Sequence, residues 1–505
     1  MSKVEINNLE AGQQTGKTTG PGNDRAGEKK RTFMLILGPA VALFILLLPV
    51  PEGMPILAWR TAAVMVWMAI WWATEVLPVA VTAFLPLVLF TPLGIATFKA
   101  SAAPYANPNI YLFLGGFIMA AAIERWNLHL RIALGVLRLV GSDSRAMIGG
   151  FMLASAVLSM WMSNTSTTMM LLPIGLSIVT VVTTTVIGLS AYQKQNFQAA
   201  MMLGIAYAAT IGGVATLVGT PPNALLASFM EQEYDMQIGF ARWMLIGLPV
   251  SLTLLPIAWW VLTRRAFPVD FNAGPETTKK LVQLREDLGP MSIAERRVAI
   301  IFAVLALSWM LRPFLNGIAG LEGLNDAGLA MTIAVILFLV PSGQGDGQAL
   351  MNWDRAAQLP WGILILFGGG LSLAAAVSGT GLAQWLGASL APLGGYGIWV
   401  LVIATVLLVV FLTELTSNLA TTAAFLPVVA AVAVELGYSP VLLAVPVALA
   451  ASCAFMLPVA TPPNAIVFSS GLLTIRQMAK AGVAMNLLAL ILISLVALLL
   501  VPIIL

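Results

Sequence analysis

A polar motif that occurs twice inside apolar sequence constrains this chain more than any other feature. The first copy, SNTSTTMMLLPI at residues 163–174, and the second, SNLATTAAFLPV at residues 417–428, are identical at 6 of 12 positions. Two other stretches repeat in the same order along the chain, namely FLGGFIMAAAI (113–123) with FGGGLSLAAAV (367–377) and VGTPPNAL (218–225) with VATPPNAI (459–466). Three collinear matches indicate an internal duplication.

The sequence around both motifs indicates a membrane environment. Of the 505 residues, 59% are hydrophobic and 9% are charged, whereas soluble proteins carry about 25% charged residues. Predominantly apolar stretches of 17 or more residues can cross a hydrocarbon core of ~30 Å. The predicted fold class is therefore an all-α polytopic membrane protein with eleven transmembrane spans, near 33–50, 55–73, 76–93, 108–124, 200–230, 240–263, 295–311, 327–343, 361–385, 441–470 and 482–505.

The duplication divides the chain. A disordered cytoplasmic tail (1–32) and a first transmembrane span (33–54) precede repeat 1 (55–263), and a cytoplasmic linker (264–294) joins it to repeat 2 (295–505). Each repeat holds five predicted spans, and an odd number reverses direction between copies. The sequence therefore predicts inverted repeats, an arrangement common among secondary transporters.

Each repeat also contains two predicted interruptions. The uncharged run at about 146–185 fits either two full spans with an external turn or a re-entrant hairpin, and we favour the hairpin there and at about 398–436. Non-helical backbone at membrane depth must be buried in protein or line a wet cavity. Pro221-Pro222 and Pro462-Pro463 predict broken helices at about 200–230 and 441–470, because proline removes an amide donor and clashes with preceding carbonyls.

Charge sets the predicted orientation. Lys and Arg number 6 in residues 1–32, 4 in 125–145 and 7 in 264–297. By the positive-inside rule these segments are cytoplasmic, so that the C-terminus falls outside. The formal net charge of +3 reflects these loops and does not indicate nucleic-acid binding, and a single cysteine, Cys453, excludes an intrachain disulfide.

The four duplicated motifs predict one ligand site. They consist of Ser, Asn, Thr and backbone groups, without Lys or Arg. Hydroxyls and amides donate and accept hydrogen bonds, exposed helix N-termini favour anions, and freed carbonyl oxygens can hold a cation. A small anion co-transported with cations fits best. The alternative is that these side chains only bond neighbouring helices.

Four stretches resemble the divalent anion:sodium symporter family, which carries dicarboxylates, citrate or sulfate. They are the SNT and SNL motifs, ASCAFMLPVATPPNAIV at 451–467, and WWATEVLPVAVTAFLPL at 71–87, which is similar to the carboxylate-transporting members. The resemblance implies a secondary active transporter in the cell membrane that couples di- or tricarboxylate symport to Na⁺ by an elevator-type mechanism, as a homodimer.

The resemblance also implies roles for individual residues. Substrate contacts are expected from Ser163, Asn164, Thr165, Ser417 and Asn418, with Thr220, Pro221, Thr461 and Pro462 nearby and with Leu419 where many members have Thr. Na⁺, as a co-transported ion, is expected around Ser159, Ser163, Asn164 and Gly219 and around Thr413, Thr416, Asn418 and Ala460.

The sequence leaves the roles of three isolated residues undecided, together with the choice among several functions. Glu414 is either a functional intramembrane acid or one paired with backbone amides, Glu75 is expected to be an interfacial carboxylate, and His129 is expected on a lipid-surface helix. Dicarboxylate exchange without Na⁺, sulfate transport and a passive anion channel compete with symport. An enzyme is not expected, since no His, Cys-His pair or acid pair accompanies the motifs.

Overall fold

The structure, a computed structural model, describes residues 21–138, 141–345, 347–390, 395 and 397–505. These ranges are helical and contain no β-strand. In this described part, nine helices are long and apolar enough to cross a membrane: Ile56–Thr74, Phe98–Arg125, Asn164–Thr185, Ala191–Val214, Phe240–Ala266, Ile293–Leu315, Trp361–Gly379, Asn418–Glu435 and Ile475–Ile504. Three of these ranges join shorter pieces. Phe98–Arg125 includes a 3₁₀ turn at Ala103–Ala106, Phe240–Ala266 ends in a π-helical turn at Val261–Ala266, and Ile475–Ile504 joins Ile475–Leu499 to Val501–Ile504.

The other helices of the described chain do not combine the length and the apolar composition of these nine. Several are apolar but fall below the length needed to cross a membrane unaided. The remaining helices are Pro21–Leu47, Val79–Thr82, Leu85–Leu89, Leu128–Leu137, Ser144–Ser159, Pro221–Tyr234, Pro275–Glu286, Asp326–Leu339, Trp353–Ala356, Leu382–Leu390, Ile398–Leu412, Val441–Ala451 and Pro462–Phe468.

Two predicted segments differ from the structure. The described chain is helical from Pro21 to Leu47, which includes residues 21–32 of the predicted disordered tail; the Lys, Arg and Glu in this stretch are good helix formers. The tail prediction for residues 1–20 lies outside the described residues. The predicted span at 76–93 holds two short helices, Val79–Thr82 and Leu85–Leu89, because Pro78 and Pro86 remove amide donors that a continuous helix needs.

Both copies of the SNT-type motif begin a helix after a short non-helical turn. Residues 160–163, here called tip 1, separate Ser144–Ser159 from Asn164–Thr185, and residues 413–417, tip 2, separate Ile398–Leu412 from Asn418–Glu435. Ser163 has extended backbone, and its hydroxyl accepts a hydrogen bond from the Ser166 amide at 3.1 Å. This is the N-cap arrangement that stabilises a helix start. Ser417 is the N-cap residue of the second helix and also has extended backbone, but its side chain makes no capping hydrogen bond.

Both TPPN segments also follow a break between two helices. Residues 215–220 (loop 1) separate Ala191–Val214 from Pro221–Tyr234, and residues 452–461 (loop 2) separate Val441–Ala451 from Pro462–Phe468. In each case the first proline occupies the first helical position, where its missing amide leaves no hydrogen bond unmade.

The helices after the two loops pack across the repeat boundary. Pro221–Tyr234 contacts Asn418–Glu435, and Pro462–Phe468 contacts Asn164–Thr185. Ala191–Val214 is almost entirely buried and packs on Ser144–Ser159. Their backbones touch at Gly212, where a methyl group would lie 2.3 Å from the Ala156 carbonyl oxygen. This close, crossed packing brings the tips and loops of both repeats together.

Candidate substrate and ion site

A cavity of about 450 Å³ lies where the two tips and the two loops meet. All ten residues predicted to contact substrate line it: Ser163, Asn164, Thr165, Thr220, Pro221, Ser417, Asn418, Leu419, Thr461 and Pro462. Gly219 and Ala460, predicted for the two Na⁺ sites, line it as well. Residues that are up to 299 positions apart in the sequence thus share one cavity.

The opposite wall of the cavity comes from other helices and is mostly apolar. It consists of Glu75, Val79, Phe117, Ile363 and Leu366. Among the described residues, Glu75 is the one charged side chain that lines the cavity, where no lysine or arginine is found. Glu75 is exposed, and the sequence did not predict that it faces this cavity. Its backbone is left-handed, with φ 45°, an uncommon conformation for a non-glycine residue.

The two tips carry the same hydrogen bonds at matching positions. Ser159 Oγ donates to Asn164 Oδ1 at 2.6 Å, and Thr413 Oγ1 donates to Asn418 Oδ1 at 2.9 Å. The backbone carbonyl oxygens of Asn164 and Asn418 also each accept a bond of 2.8 Å, from the hydroxyls of Thr168 and Thr422 respectively. Every partner in one tip lies 254 positions from its counterpart. The duplicated polar residues therefore hold each asparagine side chain in a defined orientation.

The residues predicted for the first Na⁺ site lie close together. Asn164 Oδ1 and the Gly219 carbonyl oxygen converge on Gly213, where a methyl group would lie 2.4 Å from the former and 3.0 Å from the latter. Ser159 is fully buried and bonded to the same Oδ1. Clustered carbonyl, amide and hydroxyl oxygens can replace the hydration shell of a monovalent cation. The hydroxyl of Ser163, in contrast, caps the following helix.

The residues predicted for the second Na⁺ site differ in how their side chains are hydrogen-bonded. Thr413 is buried and donates to Asn418 Oδ1 and to the Ala451 carbonyl oxygen at 2.8 Å. Thr416, however, donates to the Leu412 carbonyl oxygen at 3.0 Å and shares a 2.5 Å hydrogen bond with the Thr421 hydroxyl. The Thr416 side chain is thus engaged inside tip 2, which leaves its backbone as the available ligand.

Two further asparagines hold the loops, and the sequence did not single them out. Asn223 Nδ2 donates to the carbonyl oxygens of Gly213, Val214 and Thr216 at 3.3, 3.2 and 2.8 Å. In the second repeat, Asn464 Nδ2 donates to the Ala454 and Leu457 carbonyl oxygens at 3.2 and 3.0 Å. Both side chains are fully buried. The sequence did contain a signal for these two asparagines, because each is the last residue of a TPPN segment and is duplicated together with the prolines.

Glu414 in tip 2 is paired with backbone amides. Its carboxylate is buried and accepts hydrogen bonds from the amides of Phe455, Met456 and Leu457 in loop 2 at 2.8, 2.9 and 3.0 Å. The equivalent residue of tip 1 is Met160, whose carbonyl oxygen accepts a 2.5 Å bond from Thr216 in loop 1. Each tip is thus hydrogen-bonded to its loop, but only in the second repeat is the acceptor a charged side chain.

The third motif position also differs between the tips. Thr165 is partly exposed to the cavity, whereas Leu419 is 6% exposed and presents methyl groups. Tip 2 therefore offers one hydroxyl fewer at this position.

Comparison with known proteins places this architecture among transporters. The sodium-dependent dicarboxylate transporter SdcS from Staphylococcus aureus strain USA300 is 42% identical over 488 residues, which cover 95% of this chain and 94% of the relative. SdcS from strain MRSA252 has the same identity and coverage. The crystal structure of the Alcanivorax borkumensis YdaH transporter shares the fold, with a TM-score of 0.53 and 14% identity over 80% of this chain and 88% of that chain.

A family model that describes the sodium:sulfate symporter transmembrane region matches residues 29–505. Together with the nine apolar helices, this match makes the chain a multi-pass membrane protein. It also confirms the resemblance carried by the SNT and TPPN motifs. The chain belongs to the divalent anion:sodium symporter family.

Proposed function

We propose that this protein is a Na⁺-coupled symporter of dicarboxylates such as succinate, malate or fumarate. The observation that carries the proposal is the single cavity lined by both copies of the SNT-type and Thr-Pro motifs. Relatives that are 42% identical over nearly the full length are sodium-dependent dicarboxylate transporters. Citrate and sulfate are the other cargoes to be compared.

The chemistry of the lining supports coupled binding. A dianion in this cavity meets hydroxyls, amides and the starts of the helices Asn164–Thr185, Pro221–Tyr234 and Asn418–Glu435. Helix N-termini attract negative charge, but the described lining supplies no cationic side chain. Because desolvation of an unpaired charge is costly, Na⁺ bound beside Asn164 and Asn418 offsets the charge of the substrate. We infer that Na⁺ binds first.

We further propose the finer architecture that the duplication predicts: eleven spans in two inverted repeats, each with a re-entrant hairpin and a broken helix. In this arrangement the helix pairs around tip 1 and tip 2 form the hairpins. The crossed packing of Pro221–Tyr234 and Pro462–Phe468 supports a pseudo-symmetric core. The N-terminus is cytoplasmic and the C-terminus outside, and a homodimer moves the tips across the membrane by an elevator-type motion.

Transport by purified protein in liposomes tests the function. Labelled succinate, citrate and sulfate are offered with and without an inward Na⁺ gradient and with and without an internal anion. We expect the Na⁺ gradient to drive succinate accumulation. Uptake that required an internal anion and ignored Na⁺ would instead identify an exchanger, and equilibration without accumulation would identify a passive channel.

A further inference from the structure

A second cavity of about 400 Å³ adjoins the proposed substrate cavity. The two cavities share Phe117 of the apolar wall and Ser163 of tip 1. The second cavity extends from these residues to Arg125 and Arg355. In the proposed orientation, Arg125 lies at the cytoplasmic side, so the second cavity lies between tip 1 and the cytoplasm.

The charges that line the two cavities have opposite signs. The substrate cavity contains one acid, Glu75, and no basic residue among the described ones. The second cavity contains Arg125 and Arg355 against a single acid, Glu124. A cleft with a net positive lining and low-dielectric walls raises the local concentration of anions. The basic groups absent from the binding site are thus placed beside it.

The two arginines are in different bonding states. The Arg125 guanidinium donates to the carbonyl oxygens of Ala349 and Leu350, each at 3.4 Å, and to the Gln348 side chain, and it lies over the Trp126 ring. Arg355 is exposed, and its guanidinium makes no hydrogen bond or ion pair with the side chains or backbone described by the structure. Its planar donors therefore remain available for a carboxylate, which arginine can bind in bidentate fashion.

We propose that the second cavity is a separate, transient anion subsite for di- and tricarboxylates, with Arg355 as its principal ligand. Gln358 and the hydroxyl of Ser166, which line the same cavity, supply further hydrogen-bonding groups. A carboxylate that leaves the tips passes this subsite before it reaches water. The subsite binds without Na⁺, because its own arginine offsets the substrate charge. Its place on the transport path rests on the proposed function, whereas its anion binding does not.

Cysteine protection tests the binding directly. Cys453 is buried, so Gln358→Cys places one accessible thiol in the second cavity. In Na⁺-free buffer, we expect millimolar succinate to slow modification of this thiol by a negatively charged thiosulfonate reagent. Arg355→Gln should remove that protection, whereas Arg296→Gln should retain it. Arg296 is a matched control, since it is an exposed arginine at the predicted cytoplasmic side that lines neither cavity.

Transport kinetics test the place of the subsite on the path. In inside-out vesicles, Arg355→Gln should raise the succinate KM about fivefold, the effect of one exposed charge pair. The difference in succinate KM between Arg355→Gln and Arg296→Gln should vanish at about 1 M choline chloride, because the Debye length is then about 3 Å and salt screens the arginine charge.

Equal succinate protection in the Arg355→Gln and Arg296→Gln backgrounds would overturn the subsite. Protection without a KM effect would overturn its place on the path, and absent Na⁺-driven uptake by the unmodified protein would overturn the proposed function alone.

Discussion

Asn486 donates its amide to the Glu414 carboxylate at 2.7 Å and so joins the last long helix to tip 2. With the three loop 2 amides, four N–H donors surround one buried carboxylate. Buried charge is tolerated when hydrogen bonds replace its hydration. Glu414 therefore fixes the position of loop 2 relative to tip 2, and Ala460, predicted for the second Na⁺ site, lies in the loop so fixed.

Replacement of Glu414 by glutamine should weaken this connection. Glutamine has one acceptor oxygen, and its NH₂ group would face backbone N–H donors, so at least one buried amide loses its partner at a cost of about 1–3 kcal/mol. We expect a lower thermal midpoint in detergent and weaker Na⁺ activation of succinate uptake. Glu435→Gln, which alters an exposed acid at the end of Asn418–Glu435, should change neither quantity. Identical behaviour of the two variants would contradict this role.

Asn164 and Asn418 should be required for transport. Each side chain lines the cavity and is oriented by a hydroxyl donor. Asn164→Ala or Asn418→Ala removes an oxygen proposed to bind Na⁺ and an amide proposed to bind substrate, so we expect loss of uptake with normal expression and assembly. Thr180→Val is the control, because Thr180 is an exposed residue of the Asn164–Thr185 helix and bonds only its own helix. Full activity of both asparagine variants would refute the site.

Asn223→Asp should lower Na⁺ affinity through loop 1. The substitution keeps the shape of the side chain but removes the donors to three carbonyl oxygens. We expect a Na⁺ activation constant about tenfold higher, which corresponds to ~1.4 kcal/mol, and Asn464→Asp should act similarly. Asn196→Asp is the matched control, since its amide bonds the Pro268 carbonyl oxygen away from the cavity. A shift in stability alone, equal in all three variants, would refute a specific effect on Na⁺.

Leu419→Thr should strengthen substrate binding at tip 2. A hydroxyl at this position restores the donor that Thr165 supplies in tip 1, and a hydrogen bond of about 1 kcal/mol corresponds to roughly a fivefold lower succinate KM. Leu419→Val is the control, because valine has about the size of threonine but no hydroxyl. It separates the effect of the smaller side chain from the effect of the added hydrogen bond. Equal KM values in the threonine and valine variants would show that the hydroxyl is not used.

His129 should make stability sensitive to acid. Burial lowers the pKa of His129 below 6.5, partly opposed by its bond to the Ile123 carbonyl oxygen and by the Glu124 charge. The unfolded chain therefore binds the proton more readily, and stability falls as the pH drops below about 6.5. Thermal midpoints measured from pH 8 to pH 5 should decline more steeply for the unmodified protein than for His129→Gln. Parallel curves would contradict this expectation.

The duplicated motifs predicted residues that meet in the structure, whereas hydropathy predicted the helices less well. Asn164, Asn418, Thr220 and Thr461 line one cavity, and their roles in binding remain a prediction. Hydropathy alone merged Val79–Thr82 and Leu85–Leu89 into one span, since apolar composition does not report a helix break.

Side-chain partners could not be predicted in the same way. The four donors to Glu414 come from loop 2 and from Asn486, which lies 72 positions away, and nothing in the local pattern specifies that pairing. The position of Glu75 opposite the tips likewise depends on how separate helices pack. Contacts between distant segments follow from tertiary packing, which local composition does not encode.

The apolar wall opposite the tips has a consequence for how cargo preference can diverge. Val79, Phe117, Ile363 and Leu366 offer a bound anion no hydrogen-bond donor from their side chains. This leaves discrimination between anions to the few polar residues at the starts of the helices that line the cavity. Relatives can therefore exchange one cargo for another by editing those few positions, while the surrounding framework stays as it is.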